Sequence, residues 1–254
     1  AKSASTASSC STSKLALHTP GQLTVATDTP AYPPYFVNNK PGNGQGFESA
    51  VAYAVAKQLG LKKVKWVVES FNASYAPGPK SFDFDINEIS ITPARAKAVS
   101  FSTPYYTNPQ AIIVSKSSPL AHAKSLKAFR SAAIGVQIGT TSLSAVQQRI
   151  KPTKQPSIFD TSNDVIHAFN IHRVQAIVVD YATALYLTSS ELKKTTIAGQ
   201  FREPGGDNWG LLMQRGSKLA PCVNTALRKL RSNGTLATLT KRWMSSKVAV
   251  PVLK

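Results

Sequence analysis

Short apolar runs alternate along this chain with segments whose apolar residues recur every three or four positions. Residues 23–27 (L-T-V-A-T) predict a strand that ends at Asp28. From 48 to 59 the spacing of Val51, Ala52, Val55 and Leu59 predicts a helix, stopped by Gly60. Strands are expected over 65–68 and 82–91. Thr92-Pro93-Ala94-Arg95 then opens a helix, with Thr as N-cap and Pro at the first helical position. After a strand at 111–114 the alternation repeats: strand 133–136, helix from Gly139-Thr-Thr-Ser142, strand 157–160, helix 163–171, buried strand 175–180 and helix 181–187. Strand 210–213 and helices 219–232 and 235–243 complete the pattern. Strands alternating with helices in two clusters predict an α/β fold with mostly parallel sheets in two lobes.

Other segments interrupt this pattern. Three prolines in Pro30-Ala-Tyr-Pro-Pro-Tyr-Phe36 forbid a regular element, so a rigid loop should present Tyr32, Tyr35 or Phe36. Residues 1–14 are almost wholly Ser, Ala, Thr and Lys, which predicts a flexible tether or leader remnant outside the fold. It has no apolar stretch of signal-peptide type, so any leader is expected to have been removed. No apolar run approaches the roughly 20 residues that span a bilayer.

Charge changes the picture only at the surface. Thirty Lys and Arg against 12 Asp and Glu give a net charge of +18, which raises the question of nucleic acid. The cations are dispersed, with no run longer than two and no nucleic-acid-reading motif beside them. No nucleic-acid partner is expected, and the basic excess reads as a surface suited to an anionic wall or lipid surface. Cys10 and Cys222 admit two readings: unrelated thiols, or a disulfide joining the tail to a C-terminal helix in an oxidising compartment.

In open α/β sheets, ligands bind beyond the carboxyl ends of strands, where helices begin. Asp28, the set Ser90, Thr92 and Arg95, the pair Thr140 and Thr141, and Asp180 all occupy such positions. A helix N-terminus and a guanidinium both suit a carboxylate, and Asp180 suits an ammonium. Together those charges describe the head of an α-amino acid. The same residues also have structural uses. Arg95 on an exposed helix would be a solvated cation, though its first-turn position opposes the helix dipole unless an anion is present. Asp180 can cap the helix at 181. Tyr32 and Phe71 can be core or face a pocket.

The strings T-D-T-P-A-Y-P-P-Y-F (27–36), G-F-E (46–48), S-I-T-P-A-R-A (90–96), F-S-T-P-Y-Y (101–106), G-T-T-S (139–142), V-V-D (178–180) and N-G-T-L (233–236) before Trp243 carry a resemblance. Over residues 21–243 the chain resembles the solute-binding proteins of polar amino-acid ABC transporters, with the periplasmic binding protein type 2 fold. The resemblance implies two lobes joined by two hinge strands, with an amino acid closed between them and delivered to a transporter permease. It implies a monomer without cofactor, outside the cytoplasm, peripheral or tethered to the membrane, with lipid anchoring left open. The expected division is a flexible tail over 1–20, lobe 1 over 21–109 and 204–254, and lobe 2 over 110–203. Ser90, Thr92, Arg95 and Thr141, with Thr140 beside it, would hold the carboxylate and Asp180 the amino group. Tyr32 and Phe71 would sandwich the side chain, with Asp28 reading its far end.

Two positions depart from the family pattern. Glu88 stands where a small residue is usual, and Ala50 where an acid is usual. Glu88 either adds negative charge to the pocket, favouring a basic side chain such as arginine or lysine, or pairs with a nearby lysine. Two other functions share this fold. One is a dehydratase-like enzyme with Glu88 as general acid, and the other a ligand-sensing module, for which no signalling segment is present in the chain. The four histidines have no metal-ligand spacing, and no nucleophile elbow or phosphate loop occurs. No catalytic residue and no metal are expected.

Overall fold

The computed structural model describes residues 10–202, 206–245 and 249–254 and divides into two compact units. Unit 1 comprises Ala1–Tyr106 and Asn208–Ser245, and unit 2 comprises Thr107–Asp207 and Ser246–Lys254.

Unit 1 starts with β1 (Gln22–Thr27), α1 (Phe47–Gln58), β2 (Lys63–Val68), α2 (Phe71–Ser74), β3 (Phe84–Asp85), α3 (Pro93–Ala98) and β4 (Ser100–Phe101). Strand β5 (Tyr106–Asn108) spans the boundary with unit 2. Unit 2 contains β6 (Gln110–Ser115), β7 (Ile134–Gln137), α4 (Thr141–Ala145), β8 (Ser157–Phe159), α5 (Ser162–Asn170), β9 (Ala176–Asp180), α6 (Tyr181–Tyr186) and β10 (Thr195–Phe201). Strand β11 (Asp207–Trp209) spans the second boundary and pairs with β5. Back in unit 1, β12 (Leu212–Met213) precedes α7 (Ala220–Ser232) and α8 (Thr235–Met244).

The unit 1 sheet has the order β2-β1-β3-β12-β4. β1 runs parallel to both β2 and β3, and the returning β12 is antiparallel to β3 and β4. The unit 2 sheet, β10-β6-β9-β7-β8, is parallel around β7 and antiparallel around β6. Central strands are apolar on both faces because helices cover them. Leu23, Val25 and Ala26 in β1 and Ile112, Ile113 and Val114 in β6 are all fully buried. In unit 1 the rings of Tyr35, Phe47, Tyr105, Tyr106 and Trp209 form an edge-to-face and tilted aromatic cluster.

Three expectations change here. Residues 82–91 form only the two-residue β3 and an isolated bridge from Ser90 to Trp209, and the left-handed backbone of Glu88 interrupts the extended run between them. The tail is not loose from residue 10 onward. Cys10 is disulfide-bonded to Cys222 on α7, which closes one of the two readings of those cysteines. The Thr12 hydroxyl donates to the Leu59 carbonyl at 3.0 Å, and the His18 N–H donates to Asp83 at 2.6 Å. Residues 1–9 lie outside the described part. Finally, the C-terminal segment expected in lobe 1 belongs to unit 2. Its Val252 bridges to Gln200 on β10, and Leu253 is buried in the unit 2 core. The expected junction at 203–204 lies outside the described residues.

Candidate functional site

In unit 1, β1, β2 and β3 run parallel and end at the same edge of the sheet, with Thr27 opposite Val68 and Ala26 opposite Asp85. Acids stand at all three ends: Asp28 just after β1, Glu69 just after β2, and Asp85 as the last residue of β3. Asp28 is half-buried and accepts hydrogen bonds from the Thr29 N–H at 2.6 Å and the Phe71 N–H at 3.3 Å, tying the start of α2 to the end of β1. Asp85 is fully buried, and neither carboxyl oxygen has a hydrogen-bond partner. Burial, then the fields of Glu48, Glu69 and Asp28, hold its pKa well above the usual carboxylate range, and Lys80 only partly offsets them.

Arg95 occupies the first turn of α3, where Thr92 is the N-cap and accepts the Arg95 N–H at 3.2 Å. The side chain is not solvated. It is 7% exposed, with its guanidinium 4.5 Å from the Tyr75 ring centroid and 5.2 Å from that of Phe71, and Nη1 donates to the Ser90 carbonyl at 2.9 Å. Two aromatic faces and a backbone acceptor thus fix the plane of a cation beside a helix opening. Phe71 is half-buried and serves this stack; Tyr32 is also half-buried, and its carbonyl accepts the Phe36 N–H at 2.8 Å.

Glu88 is half-buried and its backbone is tied to a second acid. Its backbone is in the left-handed region, at φ 48°, and its N–H donates to Glu48 Oε1 at 2.8 Å. The Tyr105 hydroxyl also donates to Glu48 Oε1. Glu48 is completely buried. Burial raises its pKa, while these hydrogen bonds oppose the rise. The Glu88 backbone is therefore anchored on a buried acid.

In unit 2 the carboxyl end of β9 and the start of α4 carry a connected polar network. Asp180 sits at the N-cap position of α6 but makes no capping hydrogen bond. Instead its Oδ1 accepts from Asn108 Nδ2 at 2.7 Å and from Gln110 Nε2 at 2.9 Å. The fully buried Gln110 also donates to Asp207 Oδ2 at 3.0 Å and accepts from the Ser142 hydroxyl at 2.6 Å. Thr141 donates to the same Asp207 oxygen at 3.1 Å. Thr140 is the α4 N-cap, accepting the Leu143 N–H at 3.2 Å and donating to the Gln137 carbonyl at 2.8 Å.

Contacts thus link Asp28, Phe71, Ser90, Thr92 and Arg95 in unit 1, and Thr141 with Asp180 through Asp207 and Gln110 in unit 2, while the bonds described for Glu88, Thr140 and Tyr32 go to other residues. Sequence reasoning missed Glu48, Tyr75, Asp85, Gln110 and Asp207. An available signal was the density of acids just before the S-I-T-P-A-R segment. None marked Gln110 or Asp207, which lie far from each other in sequence. Among the described residues no group of three His, Cys, Asp or Glu side chains is arranged to hold a metal ion, and no helix is long and apolar enough to cross a membrane.

The family model for bacterial extracellular solute-binding proteins, family 3, matches residues 23–246. The chain belongs to this family. Among curated family 3 relatives, it is 29% identical over 224 residues to the L-cystine-binding protein TcyJ of Escherichia coli strain K12, covering 85% of this chain and 80% of that protein. An ancestral arginine-binding protein bound to glutamine superposes with a TM-score of 0.76 at 30% identity, covering 90% of this chain and all of that one. The same kind of protein bound to arginine gives 0.75 at 30% identity, covering 89% and 99%.

Proposed function

We propose that this chain captures a free α-amino acid with a polar, cationic side chain outside the cytoplasm and delivers it as a monomer to an ABC transporter permease. In this reading the carboxylate of the ligand is drawn to Arg95 and the α3 opening formed by Ser90 and Thr92, with Thr140 and Thr141 contributing from α4. The ammonium group answers to Asp180. Tyr32 and Phe71 pack on the side chain, whose distal charge faces Asp28 and Glu88.

The observation that carries this reading is the charge pattern at one end of the unit 1 sheet. A buried guanidinium, its plane set by Phe71 and Tyr75, lies at a helix start, and the neighbouring strand ends carry Asp28, Glu69 and Asp85. A molecule with an anionic head and a cationic tail matches that order of charges. Relatives named for arginine, glutamine and cystine support the amino-acid class.

Titration calorimetry against arginine, lysine, glutamine, cystine and glutamate tests it. The expected order is arginine and lysine first, glutamine next, glutamate last. No heat with any amino acid, or glutamate as the tightest ligand, overturns the proposal. Incubation with the same amino acids and with prephenate-like acids, followed by mass spectrometry, separates binding from the dehydratase alternative, because a binder returns every compound unchanged.

A further inference from the structure

The charges of unit 1 are segregated. All its acidic residues, Asp28, Glu48, Glu69, Asp83, Asp85 and Glu88, are buried or half-buried. Of its described cations, all except Arg95 and Lys80 are exposed. Every fully exposed charge among the described residues of this unit is therefore a cation.

Five of these cations share one edge. β2 is the edge strand of the sheet, and Lys63 and Lys65 alternate outward along it. Lys62 directly precedes it, and Lys57 lies in the last turn of α1. The bond from Thr12 to the Leu59 carbonyl lays the disulfide-tied segment bearing Lys14 against the same end of α1. A groove lined by Thr12, Thr19, Gln22, Gly60, Lys62 and Lys63 runs between them. Blunting an edge strand against pairing takes one or two lysines. It does not account for lysines contributed by a helix end and by a separately anchored segment as well.

The chemistry of the patch selects its partner. Every cation in it is a lysine, a point charge suited to a diffuse anionic field rather than to forked recognition of single phosphates. No Phe, Tyr or Trp among the described residues is exposed, so stacking on nucleic-acid bases has no platform. The family is one of extracellular proteins, and a bilayer surface bearing anionic headgroups offers a diffuse field of this kind.

We infer that the β2 edge of unit 1, with Lys14, Lys57, Lys62, Lys63 and Lys65, docks on the anionic headgroups of a lipid bilayer. The proposed extracytoplasmic role suggests which polyanion is met, but docking does not require a bound amino acid. The two readings therefore fail separately.

The test is co-sedimentation of the full chain, without amino acid, with vesicles of phosphatidylcholine alone or mixed with phosphatidylglycerol. Binding only to the mixed vesicles, lost as salt shortens the screening length, is expected. A lysine close to an anionic surface contributes roughly fivefold to partitioning, so Lys62→Gln, Lys63→Gln and Lys65→Gln together should lower it roughly 100-fold. The matched control Arg228→Gln, Lys229→Gln and Arg231→Gln on α7 should lower it by less than about tenfold. Thermal melting of both variants verifies folding, and these side chains are exposed. Equal binding to neutral vesicles, equal loss in both variants, or tighter binding to duplex DNA at matched phosphate overturns the inference.

Discussion

The two units place polar groups at corresponding positions, at the carboxyl ends of strands and the starts of helices, but satisfy them in opposite ways. Unit 2 ties Asp180 and Asp207 into a network through the two ends of one buried amide, Gln110, with Ser142 and Thr141 completing it. Unit 1 keeps Asp85 buried with no hydrogen-bond partner, and leaves buried Glu48 with the Glu88 N–H and the Tyr105 hydroxyl as donors to one oxygen. Buried networks of complementary donors and acceptors fix geometry at little electrostatic cost, whereas buried like charges survive by holding protons. The contrast teaches that unit 2 presents a set arrangement, while unit 1 buries carboxyl groups whose charged form is disfavoured.

The largest expected effect tests the one buried cation of this arrangement. Arg95→Ala should weaken amino-acid binding by about 2–5 kcal/mol, read by titration calorimetry, and an unchanged affinity would remove Arg95 from the site. The next separates the units by stability. Cys10 and Cys222 staple only unit 1. Changing both to Ser should destabilise unit 1 by about 2–4 kcal/mol, seen as a lower unfolding transition for that unit alone. If the transition of unit 2 moves as far, the units do not unfold independently.

Gln110→Ala strikes the network directly. It strips Asp180, Asp207 and Ser142 of a shared partner and should cost about 1–3 kcal/mol in denaturant unfolding; a smaller cost would show that the network is not cooperative. Asp28→Asn with Glu88→Gln should reduce arginine affinity by about 1 kcal/mol while leaving glutamine less affected. Equal losses for both ligands would contradict the preference for a cationic side chain.

The smallest effect is one of pH. The pKa of Asp85 lies above its ordinary value in the folded chain, so the native state holds this proton more tightly than the unfolded state does. Its contribution to stability is complete in acid, below the ordinary carboxylate range, and is lost as pH rises through the elevated value; Glu48 behaves in the same direction. Asp85→Asn, which keeps the shape and cannot ionise, should flatten the decline in melting temperature from pH 5 to pH 8. An unchanged slope would place the responsible group elsewhere.

Much of this was legible before any coordinates. Apolar periodicity located the helix at Phe47–Gln58, the central strands of both sheets and the Thr92 cap, because those signals are local. The strand-end positions of Asp28 and Asp180 and the helix-start position of Arg95 could be read the same way. What local pattern could not supply was the company those residues keep. It could not distinguish a solvated Arg95 from one held on Tyr75 and Phe71, or a capping Asp180 from one bound by Asn108 and Gln110.

The sequence by itself determined the α/β class, the family-level strings and the excess of cations, since each depends on residue order or composition alone. Only the tertiary structure decided that Cys10 meets Cys222, that the C-terminal Leu253 fills the core of unit 2, and that the acids of unit 1 withdraw from the surface while its lysines stay outside. Those outcomes depend on burial and on contacts between residues far apart in the chain. Desolvation and pairing act between neighbours in space, whatever their separation in sequence.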